Sequence, residues 1–220
     1  MSEFDKVAQS YDEILKADTQ GFSHDVSYFS RYKVNEISFN TIIKPLKILE
    51  YGCGTGRNLP FLQEAFPYSE IYAFDISQES LEVAKNTTNS IFFVSEADLF
   101  ENKFDIIFIS NVFHHISPKE RKKVMNDLHS LLNLGGEIFI FEHNPINPIT
   151  SNIVKKSPLD KNAILLPSKE LKQLLTEAGF ENLKLKFVLF VPPVLKKLTF
   201  IDKYLYWLPI GGQYYFKGVK

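Results

Sequence analysis

A glycine-rich turn at residues 52–56 is the segment of this sequence best suited to hold a ligand. With the two residues before it, the segment reads Glu50-Tyr-Gly-Cys-Gly-Thr-Gly. The turn follows a short, mainly apolar run at residues 47–51 and precedes a helical pattern. Glycine permits positive φ and lacks the Cβ atom that would keep a ligand away from the backbone. The free N–H groups at the start of the following helix attract negative ligand atoms. We therefore predict a ligand-binding turn, although a tight strand-to-helix corner would use the same glycines.

The spacing of these glycines discriminates among nucleotide-binding motifs. A dinucleotide-binding G-x-G-x-x-G motif requires glycine where this chain has Arg57, which disfavours a nicotinamide-dependent oxidoreductase. A phosphate-binding P-loop requires Gly-Lys-Ser/Thr, which the turn lacks. Glu50, two residues before the first glycine, would repel a pyrophosphate but suits a cationic ligand that carries no phosphate. S-adenosylmethionine is such a ligand, and we predict it as the cofactor.

Two further acids follow the next predicted strands. Asp75 comes directly after residues 70–74, where a carboxylate can accept hydrogen bonds from both ribose hydroxyls, and Ile76 can pack on the adenine. The alternative for Asp75 is capping of the next helix, a role for which Ser77 is also available. Asp98 follows the third strand and could fix the adenine amino group, or it could be an ordinary loop acid.

The fourth and fifth predicted strands end in polar segments that could bind and activate a methyl acceptor. Residues 110–116 read Ser-Asn-Val-Phe-His-His-Ile, and residues 142–148 read Glu-His-Asn-Pro-Ile-Asn-Pro. Histidine is the natural base near neutral pH, so His143 and then His114 are the candidate catalytic bases, with Glu142 able to orient one of them. Adjacent side chains in a turn point apart, and we assign His115 a structural role in tying the loop to the sheet. The spacing contains no compact ligand set such as H-E-x-x-H, so we predict no metal site.

The elements that must position these residues follow from the hydrophobic pattern. Short apolar runs alternate with amphipathic stretches, which is typical of the α/β class with parallel strands and crossover helices. The run Ile-Ile-Phe-Ile at residues 106–109 suits a strand covered on both faces. Ser117 and Ser168 are predicted N-caps, and Gly135 and Gly179 follow helix ends. Strands are predicted at residues 47–51, 70–74, 91–94, 104–110, 137–142, 183–191 and 213–219, and helices at residues 57–65, 78–86, 118–132 and 168–178, with residues 1–44 mainly helical.

Taken together and in this order, the motifs resemble those of class I, Rossmann-like methyltransferases that use S-adenosylmethionine. The resemblance covers residues 48–141 and rests on Glu50-x-Gly-x-Gly-x-Gly, Asp75, Ala97-Asp98, Phe104-Asp-Ile-Ile-Phe and Leu134-Gly-Gly-Glu. It implies a seven-stranded, mostly parallel sheet with helices on both faces, an antiparallel last strand and a helical N-terminal cap. The cofactor pocket that it implies is lined by Tyr11, Glu50, Gly52, Cys53, Gly54, Asp75, Ile76, Asp98, Leu99 and Asn111.

The resemblance also implies a small-molecule acceptor. Residues 142–148, followed by Pro158-Leu-Asp-Lys-Asn-Ala-Ile-Leu-Leu, resemble a bacterial subgroup associated with sugar, lipid-linked glycan or secondary-metabolite pathways. A nucleic-acid methyltransferase would show D/N-P-P-Y/F at residues 111–114, which read Asn-Val-Phe-His. One departure is Leu134, which stands where many members have proline, and the turn can form without it. The alternative is a noncatalytic cofactor-binding or scaffold protein, against which the polar groups at Asn111, His114 and His143 argue.

Composition and charge exclude several other classes. The chain has 220 residues, a formal charge of −1 and an isoelectric point near 6.5, so no broad positive field attracts nucleic acid. Cys53 is the single cysteine, which precludes an intramolecular disulfide and fits the reducing cytoplasm. The N-terminal residues lack the apolar core of a secretion signal. Residues 187–195 are far shorter than the ~20 apolar residues of a spanning helix, so no transmembrane segment is predicted.

The C-terminal region differs from the rest in charge. Residues 184–220 contain seven lysines and one acid, and residues 193–208 place leucines and an isoleucine at helical spacing among some of these lysines. This segment could be a lid, a dimer contact, a weak contact with a membrane surface or an ordinary packed insertion. We predict a single domain with a cap at residues 1–44, a cofactor-binding core at 45–191 and an insertion at 192–211. The sequence does not indicate the oligomeric state.

Overall fold

One mixed sheet organises the chain. The computed structural model describes residues 5, 8–18, 25, 27–93 and 95–220, and these contain seven strands in the order β3-β2-β1-β4-β5-β7-β6. Strands β1 to β5 pair in parallel, whereas β7 runs antiparallel to both β5 and β6. The predicted α/β class and the antiparallel last strand are confirmed. The strands are β1 (Lys47–Tyr51), β2 (Glu70–Phe74), β3 (Ile91–Phe93), β4 (Phe104–Ser110), β5 (Leu132–His143), β6 (Glu181–Val188) and β7 (Gln213–Val219).

Strand β4 shows why the central strands are continuously apolar. Its side chains alternate between the two faces of the sheet, and both faces are covered. Ile107 and Ile109 pack in one hydrophobic core, whereas Ile106 and Phe108 pack in the other, and all four side chains are fully buried. Because successive side chains point to opposite faces and these four are all apolar, the strand contributes to one core on each side of the sheet.

The helices lie mostly where the apolar periodicity predicts them. Ser77 caps α4, since its side chain accepts a hydrogen bond from the backbone N–H of Ser80. The prediction for Ser168 is wrong by one residue, because Pro167 is the N-cap of α8 and Ser168 is its first residue. Helices α5 and α7 lie outside the predicted helices. The helices are α1 (Tyr11–Asp18), α2 (Ser27–Asn40), α3 (Leu59–Ala65), α4 (Gln78–Lys85), α5 (Glu96–Phe100), α6 (Pro118–Leu131), α7 (Pro148–Lys156), α8 (Ser168–Glu177) and α9 (Asp202–Leu205).

Helix α7 is held at the carboxyl end of the sheet by side-chain hydrogen bonds. Asn147 caps it and accepts hydrogen bonds from the backbone N–H groups of Ile149 and Thr150, both at 3.0 Å. The Thr150 hydroxyl donates to the backbone oxygen of Gly212 at 2.9 Å, in the segment that leads into β7. Asn147 and Pro148, the N-cap and first residue of this helix, are a start signal that the sequence contains. Its consequence is that α7 lies over the carboxyl ends of the strands.

Strand β5 begins earlier than its apolar run. Leu132 directly follows α6 and pairs with β4, and Gly135 within the strand has φ 78°. Leu134 stands where many resembling proteins have proline, and it is 93% exposed. The predicted turn is part of β5, where the backbone N–H of Gly135 donates to the oxygen of Lys220, and glycine supplies the positive φ without a preceding proline.

The segment after β6 is less regular than its apolar spacing predicts. A 3₁₀ helix spans Pro193–Ile201 with a kink at Leu195, and the short α9 follows it. Several large apolar side chains here are exposed, among them Trp207 at 65%. Weak contact with a membrane surface through residues 193–208 stays a prediction. In the part of the chain that the structure describes, no helix combines the length and the apolar character needed to cross a bilayer.

Candidate functional site

The carboxyl ends of β1, β2, β4 and β5 open into a cavity of about 740 Å³. Ligands collect at this edge of an open α/β sheet because the loops after parallel strands converge there. The volume lies within the ~300–1,000 Å³ of small-molecule pockets. Helix α2 contributes Lys33 to the wall and α7 contributes Thr150 and Val154. The cavity therefore has room for a ligand of cofactor size and is enclosed by elements from both ends of the chain.

The glycine turn after β1 forms one wall of this cavity. Gly52 and Gly54 have φ values of 75° and 52°, which residues other than glycine rarely adopt. A Cβ atom on Gly52 would collide with the side chain of Val112, whereas one on Gly54 would project into open space. Gly52 is thus required by packing, and Gly54 leaves the backbone accessible to a ligand. Cys53 lies between them, and burial raises the pKa of its thiol well above the usual value.

Glu50 is a buried carboxyl group at the bottom of the cavity. Its Oε1 accepts a hydrogen bond from Asn58 Nδ2 at 2.6 Å, whereas its Oε2 has no hydrogen-bond partner among the described residues. Burial raises the pKa of Glu50 to about 8, so the group is mostly protonated at neutral pH. A buried polar atom without a partner is costly unless a ligand satisfies it. The arrangement fits a ligand that brings a positive charge and a hydrogen-bond donor.

Asp75 braces the glycine turn from the end of β2. Its Oδ2 accepts a hydrogen bond from the backbone N–H of Gly54, and its Oδ1 accepts one from that of Ser77, both at 2.8 Å. Burial raises its pKa, although these backbone hydrogen bonds act in the opposite direction. Each oxygen keeps a lone pair for a ligand. The adjacent Ile76 is 66% exposed and lines the cavity, as expected for a side chain that packs on a ligand.

The structure does not bring Asp98 and Leu99 to the cavity, contrary to the sequence prediction. Both residues lie on α5, where the Asp98 carboxylate accepts a hydrogen bond from Ser95 at 2.7 Å and Leu99 is fully buried in a core. Glu96, at the start of the same helix, lines the cavity instead. The cause is the unpredicted helix, which turns Leu99 inward and leaves Asp98 exposed. The side chain of Tyr11 lies outside the described residues.

Asn111 follows β4 in the left-handed conformation, with φ 57°. It lines the cavity, and its Oδ1 accepts a hydrogen bond from Gln213 Nε2 at 3.3 Å. Lys33 was not singled out by the sequence, because it lies on α2, far along the chain. Its Nζ donates to Ser110 Oγ at 2.6 Å, and burial lowers its pKa to about 8. Residues from β4, β7 and α2 thus meet at one point of the cavity wall.

The two adjacent histidines differ in burial, and His114 is the one enclosed between carboxylates. His114 is 1% exposed, with Nδ1 at 2.6 Å from Glu142 Oε2 and Nε2 at 3.3 Å from Asp160 Oδ1. Burial opposes its charge, but Glu142 and Asp160 together raise the pKa of His114 to about 9. Both of its nitrogens face carboxylates, which favours the protonated ring and disfavours His114 as the base. His115, predicted to be structural, is 14% exposed and lines the cavity.

Asp160, which no sequence motif marks as a functional residue, contacts both histidines in the fold. It lies on a 3₁₀ helix (Pro158–Asp160), and its Oδ1 is 3.4 Å from His115 Nε2. Burial opposes ionisation, yet hydrogen bonds from His114 and His115 hold the pKa of Asp160 below its usual range. The fully buried Arg121 joins this segment to the histidine loop by donating to the backbone oxygens of Phe113 and Ile164. The sequence does not predict the contact between His115 and Asp160, because the two residues are 45 positions apart.

His143 has a pKa that is shifted in the opposite direction from that of its neighbour His114. Its ring centroid is 5.1 Å from that of His114, and its Nδ1 is 3.5 Å from Gln213 Nε2. Burial, followed by the charge of His114, lowers the pKa of His143 to about 4. Glu142, the residue before it, is fully buried and accepts hydrogen bonds from the backbone N–H groups of Val112 and Phe113 at 3.1 and 2.7 Å. A neutral imidazole therefore lines the same cavity as Glu50.

Comparison with known proteins identifies the family. Residues 22–185 match the family model described as a methyltransferase domain. A malonyl-[acyl-carrier protein] O-methyltransferase of Ilyobacter polytropus is 38% identical over 101 residues, which cover 43% of this chain and 37% of that relative. The chain thus spans little more than a third of that relative's length.

Two solved structures share the fold at low sequence identity. A SAM-dependent methyltransferase from Archaeoglobus fulgidus has a TM-score of 0.69 at 16% identity and covers 92% of this chain and 97% of its own. Phosphoethanolamine N-methyltransferase 2 of Haemonchus contortus, solved with S-adenosyl-L-methionine, has a TM-score of 0.64 at 15% identity over 100% of this chain and 60% of its own. The chain belongs to the methyltransferase domain family and has the fold of class I, S-adenosylmethionine-dependent methyltransferases.

Proposed function

We propose that this protein transfers a methyl group from S-adenosylmethionine to a small-molecule acceptor bound in the same cavity. When bound, this cofactor supplies an electrophilic methyl group on a positively charged sulfur. The observation that carries the proposal is the buried Glu50, whose Oε2 has no partner among the described residues, in the same cavity as the neutral His143. One group suits a cationic ligand, and the other suits an acceptor that must lose a proton.

The cofactor half of the site follows from the groups that line it. Glu50 would hold positive charge, and Asp75 would accept hydrogen bonds from ribose hydroxyls with the lone pairs that its backbone contacts leave unused. The exposed Ile76 would pack on the adenine. Glu96 takes the place that the sequence suggested for Asp98, since it is the acid of α5 that lines the cavity.

The acceptor half depends on His143. Its lowered pKa keeps the imidazole neutral at pH 7, so one ring nitrogen has a lone pair for the acceptor hydroxyl or amine. The same low pKa limits its strength as a base. We nevertheless expect His143, as the neutral imidazole of the cavity wall, to accept a hydrogen bond from the acceptor and to take its proton as the methyl group is transferred, because the acceptor becomes more acidic as its bond to the methyl group forms. Glu142 holds the preceding loop and His114 in place, which makes it a positioning residue.

The proposal treats residues 1–220 as a single domain, with the cap at 1–44 and the insertion at 192–211 around a core at 45–191. The cap is needed in this arrangement because α2 supplies Lys33 to the cavity wall. A reducing compartment such as the cytoplasm suits a chain whose one cysteine is buried.

Thermal unfolding with candidate cofactors tests the first half of the proposal. A ligand that binds the native state at 100 times its Kd adds about 2.7 kcal/mol to the free energy of unfolding. S-adenosylmethionine and S-adenosylhomocysteine should raise the melting temperature, whereas NAD and ATP should not. A shift with NAD alone would contradict the assignment.

Separate measurement of cofactor affinity and turnover tests the second half. With an acceptor found by screening for methyl transfer, His143→Ala should lower turnover by ~100-fold while its affinity for S-adenosylhomocysteine stays nearly unchanged. His129→Ala, in a histidine on α6 away from the cavity, is the matched control and should keep full turnover. Cofactor binding without methylation of any acceptor would favour the noncatalytic alternative.

A further inference from the structure

Three side chains with metal-binding atoms converge in the cavity wall near His143. Nε2 of His114 lies 3.3 Å and Nε2 of His115 lies 3.4 Å from the same oxygen, Oδ1 of Asp160. A ligand atom from each of the three residues lies within 4.8 Å of those from the other two. Two come from neighbouring positions after β4, and the third comes from a 3₁₀ helix 45 residues later. For this reason the spacing in the sequence indicated no metal site.

Two of the three distances between these atoms match the first coordination sphere of one metal ion. Zinc binds histidine nitrogen and carboxylate oxygen at about 2.0–2.2 Å, so two ligands separated by 90–109° lie about 3.0–3.4 Å apart. The two measured separations of 3.3 and 3.4 Å fall in this range. An ion could therefore replace the hydrogen-bonding protons between the rings and the carboxylate with small side-chain rotations.

A second carboxylate already orients one of the rings. Glu142 Oε2 lies 2.6 Å from Nδ1 of His114, which directs the opposite nitrogen, Nε2, toward Asp160. A carboxylate behind a histidine is the usual arrangement in metal sites, where it fixes the ring and strengthens the ligand. Glu142 is itself held by the backbone N–H groups of Val112 and Phe113. The donor set is thus positioned by the sheet and needs no further folding to form.

We propose that His114, His115 and Asp160 bind a divalent transition-metal ion, with Glu142 as the positioning residue behind His114. Two nitrogens and one oxygen favour Zn²⁺, Co²⁺, Fe²⁺ or Mn²⁺ over the oxygen-preferring Mg²⁺ and Ca²⁺. Two negative carboxylates compensate the charge of a dication in this mostly buried place. All three ligand residues line the cavity, so the remaining coordination positions would be open to it. That they receive an oxygen of the methyl acceptor rests on the proposed function, whereas binding of the ion does not.

Titration of the chelator-treated protein with Co²⁺ alone tests the site. We expect one ion per chain, with the visible absorption of a site containing nitrogen ligands. His115→Ala and Asp160→Asn should each weaken Co²⁺ binding by more than ~100-fold, because loss of a supporting outer-shell group already costs about 10–100-fold. His129→Ala should bind Co²⁺ as the unaltered protein does. No stoichiometric binding, or equal affinity in the His115 and His129 variants, would overturn the proposal.

Two further measurements keep the result decisive. Binding of S-adenosylhomocysteine to the metal-free variants reports whether they are folded, because none of the residues proposed to hold this ligand is a proposed metal ligand. His115→Gln removes the imidazole with less loss of volume, and it should lose Co²⁺ binding as His115→Ala does. Failure of the unaltered protein to bind S-adenosylhomocysteine would contradict the proposed function and would leave the Co²⁺ titration as a separate test of the metal site.

Discussion

Cofactor binding should release nearly one proton from Glu50 at pH 7. Burial raises the pKa of this carboxyl to about 8, so about 90% of the molecules carry the proton at pH 7. A cationic ligand beside Oε2 favours the carboxylate and lowers that pKa in the complex. We therefore expect Glu50 to contribute about 0.9 released protons. Apparent affinity should rise about tenfold per pH unit up to pH 8 and then level off.

Other groups titrate in the same range, and a variant separates them from Glu50. Burial lowers the pKa of Lys33 to about 8, and the α-amino group of the ligand titrates at about 8. The assay is isothermal titration calorimetry of S-adenosylhomocysteine in buffers of different ionisation enthalpy, whose slope counts protons. The unaltered protein should release about 0.9 protons more than Glu50→Gln. Equal slopes for the two proteins would refute the reasoning.

The same variant has a predicted effect on stability. The folded-state pKa of about 8 exceeds the unfolded value of about 4.3. The free energy of unfolding therefore decreases as pH rises between these values, because the unfolded chain loses the Glu50 proton at lower pH than the folded protein does. Glutamine removes this loss and can still accept the hydrogen bond from Asn58. The melting temperature of Glu50→Gln, relative to the unaltered protein, should increase from pH 5 to pH 9. A decrease would show that Glu50 is stabilised as a carboxylate.

Three further predictions concern the cofactor side and the C-terminal segment. Asp75→Ala should weaken binding of S-adenosylhomocysteine by at least ~10-fold, whereas Glu79→Ala, in the exposed first turn of the next helix, should not change it. Gly52→Ala should destabilise the fold by about 1–3 kcal/mol in chemical denaturation, because its Cβ would clash, and Gly54→Ala should lose affinity with a smaller loss of stability. Residues 193–208 should give only weak, salt-sensitive binding to anionic vesicles in sedimentation, and tight, salt-insensitive binding would contradict this.

Local signals in the sequence were sufficient for most of the fold. The bounds of β1, β2, β4 and β7 agree with the predicted runs, because an apolar run bounded by turn residues can be buried in only a few ways. Gly52 and Gly54 predict the ligand-binding turn, since the positive φ that they adopt is a property of the residue type. Glu50 and Asp75 lie at strand ends in the sequence, so their presence in the cavity wall followed from the same pattern.

Contacts between distant segments were decided by the tertiary structure alone. The sequence places His114 and His115 side by side with no signal for which is buried, and the choice depends on Glu142, which comes from the next strand of the sheet. Asp98 turned out to face away from the cavity because a short helix sets its direction. The sequence by itself determined the strands, the glycine turn and the family resemblance, since these depend on residue type and short spacing. Only the fold decided the charge states of the histidines and the position of Asp160, because burial and electrostatic neighbours are properties of the packed chain.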